Sequence, residues 1–80
     1  MAKFKTKDRV LLKANVEENW SRAYGIIIEV ENQNKYPGMY IVQITEIDIP
    51  MEDSDDGIRE IHEDNITLQP KYGKLNYSLK

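Results

Sequence analysis

Two apolar stretches decide the fold of this chain: Gly25-Ile-Ile-Ile-Glu-Val30 and Met39-Tyr-Ile-Val-Gln-Ile44. Both are rich in β-branched and aromatic residues, which favour strands. Residues 32–38 between them are dense in turn formers and end in Tyr-Pro-Gly, where proline presets φ and glycine tolerates a positive φ. The pattern therefore predicts a hairpin of two long strands, residues 23–31 and residues 39–48.

The alternation of side chains along a strand predicts which residues face the core. The first strand of the hairpin is predicted to turn Ile27, Glu29 and Glu31 towards solvent. The residues predicted to face the core lie at even positions on both strands: Ile26, Ile28, Val30, Tyr40, Val42 and Ile44. One face of the hairpin is therefore expected to be apolar and buried.

The rest of the chain adds shorter elements. Strands are predicted at residues 7–14, 58–61 and 66–69, with one turn of 3₁₀ helix at residues 63–65. Residues 15–22 are predicted to form a loop with a single helical turn at residues 17–20. Pro70 is expected to stop the last strand. The sequence thus predicts an all-β fold with about five antiparallel strands.

This pattern resembles a small SH3-like β-barrel of the KOW or Tudor-like kind. The resemblance rests on Asp8-Arg-Val10, Gly25-Ile-Ile-Ile-Glu-Val30, Tyr40-Ile-Val42 and Glu63-Asp-Asn-Ile66, and it covers about residues 6–70. It extends to small bacterial or phage proteins built on such barrels. It implies a module that binds nucleic acid, peptide or ribosomal partners and that has no catalytic activity. A five-stranded OB-like barrel is the alternative fold, although the strands are short for it.

The domain organisation follows from this pattern. Residues 1–5 are predicted to be a basic N-terminal segment, residues 6–70 the barrel, and residues 71–80 a tail or one extra strand. Eighty residues suffice for one domain only. The tail shows alternating Leu75, Tyr77 and Leu79, which keeps both options open for it.

The charge is distributed unevenly along the chain. Residues 1–13 carry a net charge of +4, residues 14–70 carry −10, and residues 71–80 carry +3, so that the total is −3. An acidic middle argues against a body that follows a phosphate backbone. The chain has no cysteine and no apolar run long enough to span a membrane. A cytoplasmic protein that is a monomer or weak dimer is expected, with no membrane contact.

Catalytic and metal-binding patterns are weak. His62 is the only histidine, and Ser21, Ser54 and Ser78 lack the context of a catalytic triad. Counted as an EF-hand loop from Asp53, the sixth residue is Ile58 where glycine is required. The sequence therefore predicts no catalytic residue, no metal site and no cofactor.

The candidate binding residues are loop aromatics and loop acids. Trp20, Tyr24 and Tyr36 are predicted to line a groove for an extended partner, with Arg22 beside it. The alternative places Tyr24 in the core and Trp20 over one barrel end. The acidic loop after the third strand, Glu52-Asp-Ser-Asp-Asp56, is predicted to select a basic partner through its aspartates: Asp53, Asp55 and Asp56.

Three functional hypotheses follow. The first is a non-enzymatic protein-interaction module with the aromatic and acidic residues as its site. The second is a nucleic-acid-binding KOW-like domain that uses the loop aromatics and the lysines of both termini: Lys3, Lys5, Lys7, Lys71 and Lys74. The third is an acidic inhibitor that imitates nucleic acid and binds a basic host protein.

Overall fold

The structure, a computed structural model, describes residues 3–68 and 77–78. Its elements in chain order are β1 (Arg9–Leu12), β2 (Ala23–Val30), β3 (Met39–Ile47), β4 (Ile58–His62), a 3₁₀ helix (Glu63–Asn65), β5 (Ile66–Leu68) and β6 (Tyr77–Ser78). The chain is therefore all-β, and the 3₁₀ turn before β5 lies where the sequence predicted it.

Five antiparallel strands curl into a half-barrel that is consistent with an SH3-like barrel. The sheet order is β4-β3-β2-β1-β5, and β6 pairs with β3 beyond the end of β4. One local prediction was wrong: residues 17–20 are not helical. A tight turn lies there instead, closed by a bridge between Asn15 and Trp20, and Asn19 adopts a φ of 62°.

The core is organised around the fully buried Tyr40. The Tyr40 hydroxyl accepts hydrogen bonds from the backbone N–H groups of Lys3 (2.7 Å) and Phe4 (3.0 Å). The Phe4 ring meets the Tyr40 ring edge to face, with centroids 5.5 Å apart. Phe4 belongs to the predicted basic segment 1–5, yet these contacts bring it into the core.

The other core side chains come from β1, β2, β3 and β5 and from the first loop, whereas β4 contributes only Ile61 at the margin. The buried cluster consists of Phe4, Val10, Leu12, Trp20, Ala23, Ile27, Tyr40, Val42, Ile44, Ile47 and Ile66. Four partly buried side chains pack against the margin of this cluster: Val30, Ile49, Met51 and Ile61.

The predicted faces of β2 were partly wrong, while Tyr40, Val42 and Ile44 of β3 face the core as predicted. Ile27 is fully buried and Ile28 is 42% exposed, the reverse of the simple alternation. Ile26 pairs with Gln43 on the outer face. The pairing skips Ile28 in a β-bulge, so that the register changes by one residue there.

Gly25 explains why the alternation was misleading. It takes an inward position on β2, where an added Cβ would lie 2.7 Å from the Gln43 carbonyl oxygen and from a methyl group of Val42. A side chain does not fit there, so one of the positions of β2 that face the core is a glycine and gives no apolar signal in the sequence. Gly25 is followed by three consecutive isoleucines, so the sequence fits a strand that buries Ile27 as well as one that buries Ile26 and Ile28. Only the tertiary packing selects between these two arrangements.

The C-terminal strand is short and antiparallel to the end of β3. Tyr77 pairs with Ile47, and Ser78 pairs with Glu46. The extra-strand option for the tail is thus realised at these two residues. Pro70, Lys71, Lys74, Leu75 and Leu79 lie outside the described residues.

Candidate functional site

Arg59 on β4 joins two loops that are far apart in the sequence. Its guanidinium Nη2 lies 2.7 Å from Glu18 Oε1 and 2.7 Å from Asp55 Oδ2. Nε also donates to Glu18 Oε1 at 2.8 Å, and Nη1 donates to Asp55 Oδ1 at 3.1 Å. We call Arg59, Glu18 and Asp55 the Arg59 cluster. It ties the turn that precedes Trp20 to the acidic loop.

The ionisation of the Arg59 cluster is stabilised on both sides. The hydrogen bond from Arg59, followed by that from the Gly57 backbone N–H, holds the pKa of Asp55 below its ordinary value. The carboxylates of Asp55 and Glu18 raise the pKa of Arg59. The charged forms of Asp55 and Arg59 are therefore favoured, and the hydrogen bonds of the guanidinium hold Glu18 and Asp55 in place.

The acidic loop is shaped by two side-chain-to-backbone turns. Asp55 Oδ1 accepts from the Gly57 N–H at 2.8 Å, and Asp56 Oδ1 accepts from the Ile58 N–H at 2.9 Å. Gly57 has a φ of 72°, which favours glycine. These contacts leave Asp53 exposed at the loop tip. The acids lie beside an open groove of about 480 Å³, lined by Pro50, Met51, Glu52, Asp53, Asp55, Asp56, Tyr77 and Ser78.

A second acidic region lies on the outer face of the sheet, the face opposite the core. Glu29 on β2 and Glu60 on β4 both pair with Ile41 of β3, so that they flank it from either side. Glu31 lies two residues after Glu29 on the same face, and its backbone N–H donates a hydrogen bond to the Met39 carbonyl. We call Glu29, Glu31 and Glu60 the glutamate cluster.

The carboxylates of the glutamate cluster repel one another. Partial desolvation, then hydrogen bonds to Glu29 and Glu60 and the repulsion of their charges, raise the pKa of Glu31. Within the described part of the chain, no lysine or arginine forms an ion pair with these three carboxylates. The cluster therefore concentrates negative charge that its neighbours leave uncompensated.

Apolar side chains share this outer face with the glutamates. Ile58 is 41% exposed and lies beside Glu60 on β4, and the bulged Ile28 is 42% exposed beside Glu29. Ile41 is half-buried at the centre of the three glutamates. The face thus combines exposed aliphatic groups with fixed negative charge.

The predicted aromatic residues do not form one groove. Trp20 and Tyr24 are buried, whereas Tyr36 is exposed. Tyr24 pairs with Leu11 and so lies on the face away from the core. Tyr36 precedes β3 in the hairpin turn, with Lys35 Nζ 5.5 Å from the centre of its ring.

The charged residues of the predicted site are also separated from Tyr36. Asp53, Asp55 and Asp56 lie together in the loop after β3, at the strand end opposite Tyr36. Arg22 is exposed, and its carbonyl accepts from the Asp48 N–H at 3.2 Å. The structure brings the three aspartates together and does not bring Tyr36 to them.

Arg59 and the glutamate cluster were missed by the sequence analysis. One signal for Arg59 was present: it is the single cation among nine acids between residues 36 and 70. Its partner Glu18 lies 41 positions away, so that no local pattern connects them. The glutamate cluster requires the register of three strands, including the bulge at Ile28, before its members become neighbours.

His62 is partly exposed, and its contacts are local. Nδ1 accepts a hydrogen bond from the Asp64 N–H at 3.1 Å and thereby caps the 3₁₀ turn. Among the described residues, no group of three His, Cys, Asp or Glu side chains is placed to hold a metal ion. No helix within those residues is long and apolar enough to cross a membrane.

Comparisons with known proteins identify no relative: no protein-family model, no curated protein and no solved structure matches the chain.

Proposed function

We propose that this protein is a non-enzymatic interaction domain that binds a basic segment of a partner protein on the outer face of β2, β3 and β4. The observation that carries the proposal is the glutamate cluster, where Glu29, Glu31 and Glu60 surround Ile41 without a described cation. Like charges held together reduce the stability of the free domain, and a cationic partner removes that cost.

The apolar residues of the same face support a protein partner. Ile28 and Ile58 lose accessible apolar surface when an aliphatic side chain covers them, which favours association. Charge around an apolar centre is the usual anatomy of a protein interface. A partner segment that alternates lysine or arginine with aliphatic residues complements both properties.

The fold supports a binding role by analogy. Small SH3-like barrels of the KOW and Tudor-like kind commonly bind peptides or nucleic acid, and this chain resembles them in its five-strand order and 3₁₀ turn. Analogy at the level of fold does not choose the ligand. The choice of a basic peptide rests on the charge and exposure of the outer face.

The nucleic-acid alternative receives less support. Base stacking needs exposed aromatic rings. Of the three loop aromatics, Trp20 and Tyr24 are buried and Tyr36 alone is exposed. The proposal of an acidic inhibitor of a basic host protein uses the same negative surface, and it differs in the identity of the partner.

Two capped octapeptides test the proposed function. One alternates lysine with valine, and the other alternates glutamate with valine. We expect the lysine peptide, titrated into ¹⁵N-labelled protein, to shift the amide resonances of Glu29, Ile41 and Glu60. We expect the glutamate peptide and a labelled single-stranded oligonucleotide to leave them unchanged.

A matched pair of double variants shows where the peptide binds. Glu31→Gln with Glu60→Gln is expected to weaken the binding of the lysine peptide about tenfold, since two of the three carboxylates lose their charge. Glu52→Gln with Asp53→Asn removes the same charge from the acidic loop and is expected to change the affinity less than twofold. Equal effects of the two pairs, or equal binding of both peptides, would contradict the proposal.

A further inference from the structure

The free edge of β4 faces a cleft between the two ends of the half-barrel. β4 is the terminal strand of the sheet. The hydrogen bonds from Ile44 N–H to the Gly57 carbonyl (2.8 Å) and from Glu63 N–H to the Gly38 carbonyl (2.7 Å) set the ladder between β3 and β4. Since such bonds alternate along an antiparallel pair, the backbone groups of Glu60 point away from β3.

The Ile58 end of this edge is protected, whereas no residue that the structure describes covers the backbone of its centre. The Ile58 N–H donates to Asp56 Oδ1, and the Ile58 carbonyl accepts from Arg59 Nη1 at 3.0 Å. Neither the N–H nor the carbonyl of Glu60 bonds to any residue that the structure describes. Such a donor and acceptor form the template to which another strand can add.

The cleft beside this edge has a volume of about 360 Å³, within the range of ligand-binding sites. One wall is the edge strand itself, from Glu60 to His62, and the other is the chain from Lys13 to Glu17. We call it the seam cleft. Its buried lining residues are Leu12 and Trp20.

Trp20 lines the seam cleft and carries an indole N–H that has no hydrogen-bond partner among the described residues. The residue is 4% exposed. Buried indole N–H groups usually find an acceptor, so that this one calls for an explanation. This nitrogen exposes less than 1 Å² in the free protein, so that a backbone carbonyl group of an entering strand reaches it once the side chains over it move.

The rim of the seam cleft has a definite chemistry. Val16 is 91% exposed at the tip of the turn that forms one wall. The lining contains two glutamates, Glu17 and Glu60, and one lysine, Lys13, besides His62. An apolar contact and a net negative charge complement an extended segment that contains aliphatic and cationic residues.

We infer that the partner segment binds as an added strand along the free edge of β4. Its backbone pairs with the N–H and carbonyl of Glu60, and one of its carbonyl groups accepts the hydrogen bond of Trp20 Nε1. Its cations lie against Glu17 and Glu60. This inference rests on the proposed function and extends its site: Glu60 belongs both to the outer face and to the edge of β4, so that a segment bound to the outer face also pairs with that edge as an added strand.

N-methylation of the lysine–valine octapeptide tests this mode. One form carries N-methyl groups on its valines and the other on its lysines, so that each form blocks the hydrogen bonds of one edge of the peptide. We expect one form to lose at least tenfold in affinity while the other binds like the parent. Hydrogen exchange of the Glu60 amide is expected to slow at least tenfold with the parent peptide bound.

The variant Trp20→Phe keeps an aromatic ring and removes the indole donor. It is expected to weaken the parent peptide about threefold to tenfold, and the Trp20 indole resonance of the unmodified protein is expected to shift on binding. Since unfolding of the variant would imitate this loss, its amide spectrum without peptide serves as the control. The N-methylated peptides test the same inference on the unmodified protein.

The outcomes separate the two proposals. If both N-methylated forms bind like the parent and the exchange of Glu60 is unchanged, strand addition is wrong. Sensitivity of the parent peptide to Glu31→Gln with Glu60→Gln would then still support the proposed function. If the parent peptide does not bind at millimolar concentration, both proposals are overturned.

Discussion

The Arg59 cluster and the glutamate cluster contain the same kind of carboxylate but respond in opposite ways to their surroundings. In the first, Arg59 lowers the pKa of Asp55. In the second, desolvation and neighbouring glutamates raise the pKa of Glu31. One acidic region is therefore a structural tie within the domain, while the other holds charge that no described cation neutralises.

This difference shows that a count of acids does not locate a binding surface. The sequence has its densest run of acids in the loop at residues 52–56, and that loop includes Asp55, which already has a partner in Arg59. The glutamate cluster combines Glu29 of β2, Glu60 of β4 and Glu31 just after β2, with no ion pair to lysine or arginine within the described residues. The unpaired region is the better candidate for recognition of a basic partner.

The largest effect is expected from Arg59→Met, which removes the cation of the Arg59 cluster and keeps most of its aliphatic stem. The free energy of unfolding should fall by about 2 kcal/mol because Glu18 and Asp55 lose charged hydrogen bonds in a half-buried site. Urea denaturation measures the change. Arg22→Met is the matched control at an exposed arginine and should cost less than about 0.5 kcal/mol. Equal losses of stability in Arg59→Met and Arg22→Met would show that the Arg59 cluster is not a structural tie.

A smaller loss is expected from Asp55→Asn, which preserves an acceptor for the Gly57 N–H and removes the charge. At pH 7 the variant should be less stable by about 1 kcal/mol. Because the folded-state pKa of Asp55 is lowered, its contribution is complete above the unfolded value and is lost as pH falls through the folded value. Urea denaturation at several pH values should show the difference between the two proteins shrinking below about pH 4. A difference that stays constant with pH would contradict the assignment.

The opposite sign is expected for Glu31→Gln. The folded-state pKa of Glu31 is raised, so that its ionisation costs stability above that pKa, and the cost disappears below the unfolded value. The variant should therefore melt at a higher temperature than the unmodified protein at pH 7, and the two should converge as pH falls below about 4. Glu52→Gln in the acidic loop is the control and should change the melting temperature less. A destabilised Glu31→Gln would show that the glutamate cluster is not strained.

The smallest effect is expected from salt. The repulsion within the glutamate cluster acts near the surface, and 1 M NaCl shortens the Debye length to about 3 Å. The difference in melting temperature between Glu31→Gln and the unmodified protein should therefore decrease from low salt to 1 M NaCl. A difference that does not depend on salt would attribute the raised pKa of Glu31 to desolvation alone.

The elements of the fold were predictable because their signals are local. Pro37-Gly38 and Asp56-Gly57 mark the two turns that flank β3, and both glycines adopt a positive φ. His62 precedes the 3₁₀ turn and caps it with its own side chain. Each of these signals lies within a few residues of the backbone that it shapes.

The packing of the N-terminal segment and of β2 was not predictable in the same way. Phe4 is surrounded by lysines in the sequence, and it enters the core because the Tyr40 hydroxyl, 36 residues away, bonds to its N–H. Ile27 faces the core because it continues the inward series of Ala23 and Gly25, which the pairing with β1 sets, and the bulge at Ile28 then shifts the register. In both cases the deciding contact joins segments that are distant along the chain.

The candidate surfaces show the same contrast between local signals and contacts of distant segments. The aspartates of the acidic loop were recognisable because they are consecutive or nearly so. The partners of Arg59 and the members of the glutamate cluster come from separate loops and strands. The seam cleft exists because β4 ends the sheet opposite the turn that carries Val16.

The sequence by itself determined an all-β domain, the approximate position of its strands, its 3₁₀ turn and its uneven charge, since propensity, turn chemistry and composition act locally. The tertiary structure decided which isoleucine of β2 faces the core, which carboxylates are paired, and which carboxylates and which strand edge have no partner among the described residues. Those properties depend on strand register and on contacts across the sheet, where the pairing of β2 with β1 decides that Ile27 faces inward and one arginine neutralises acids from two distant loops.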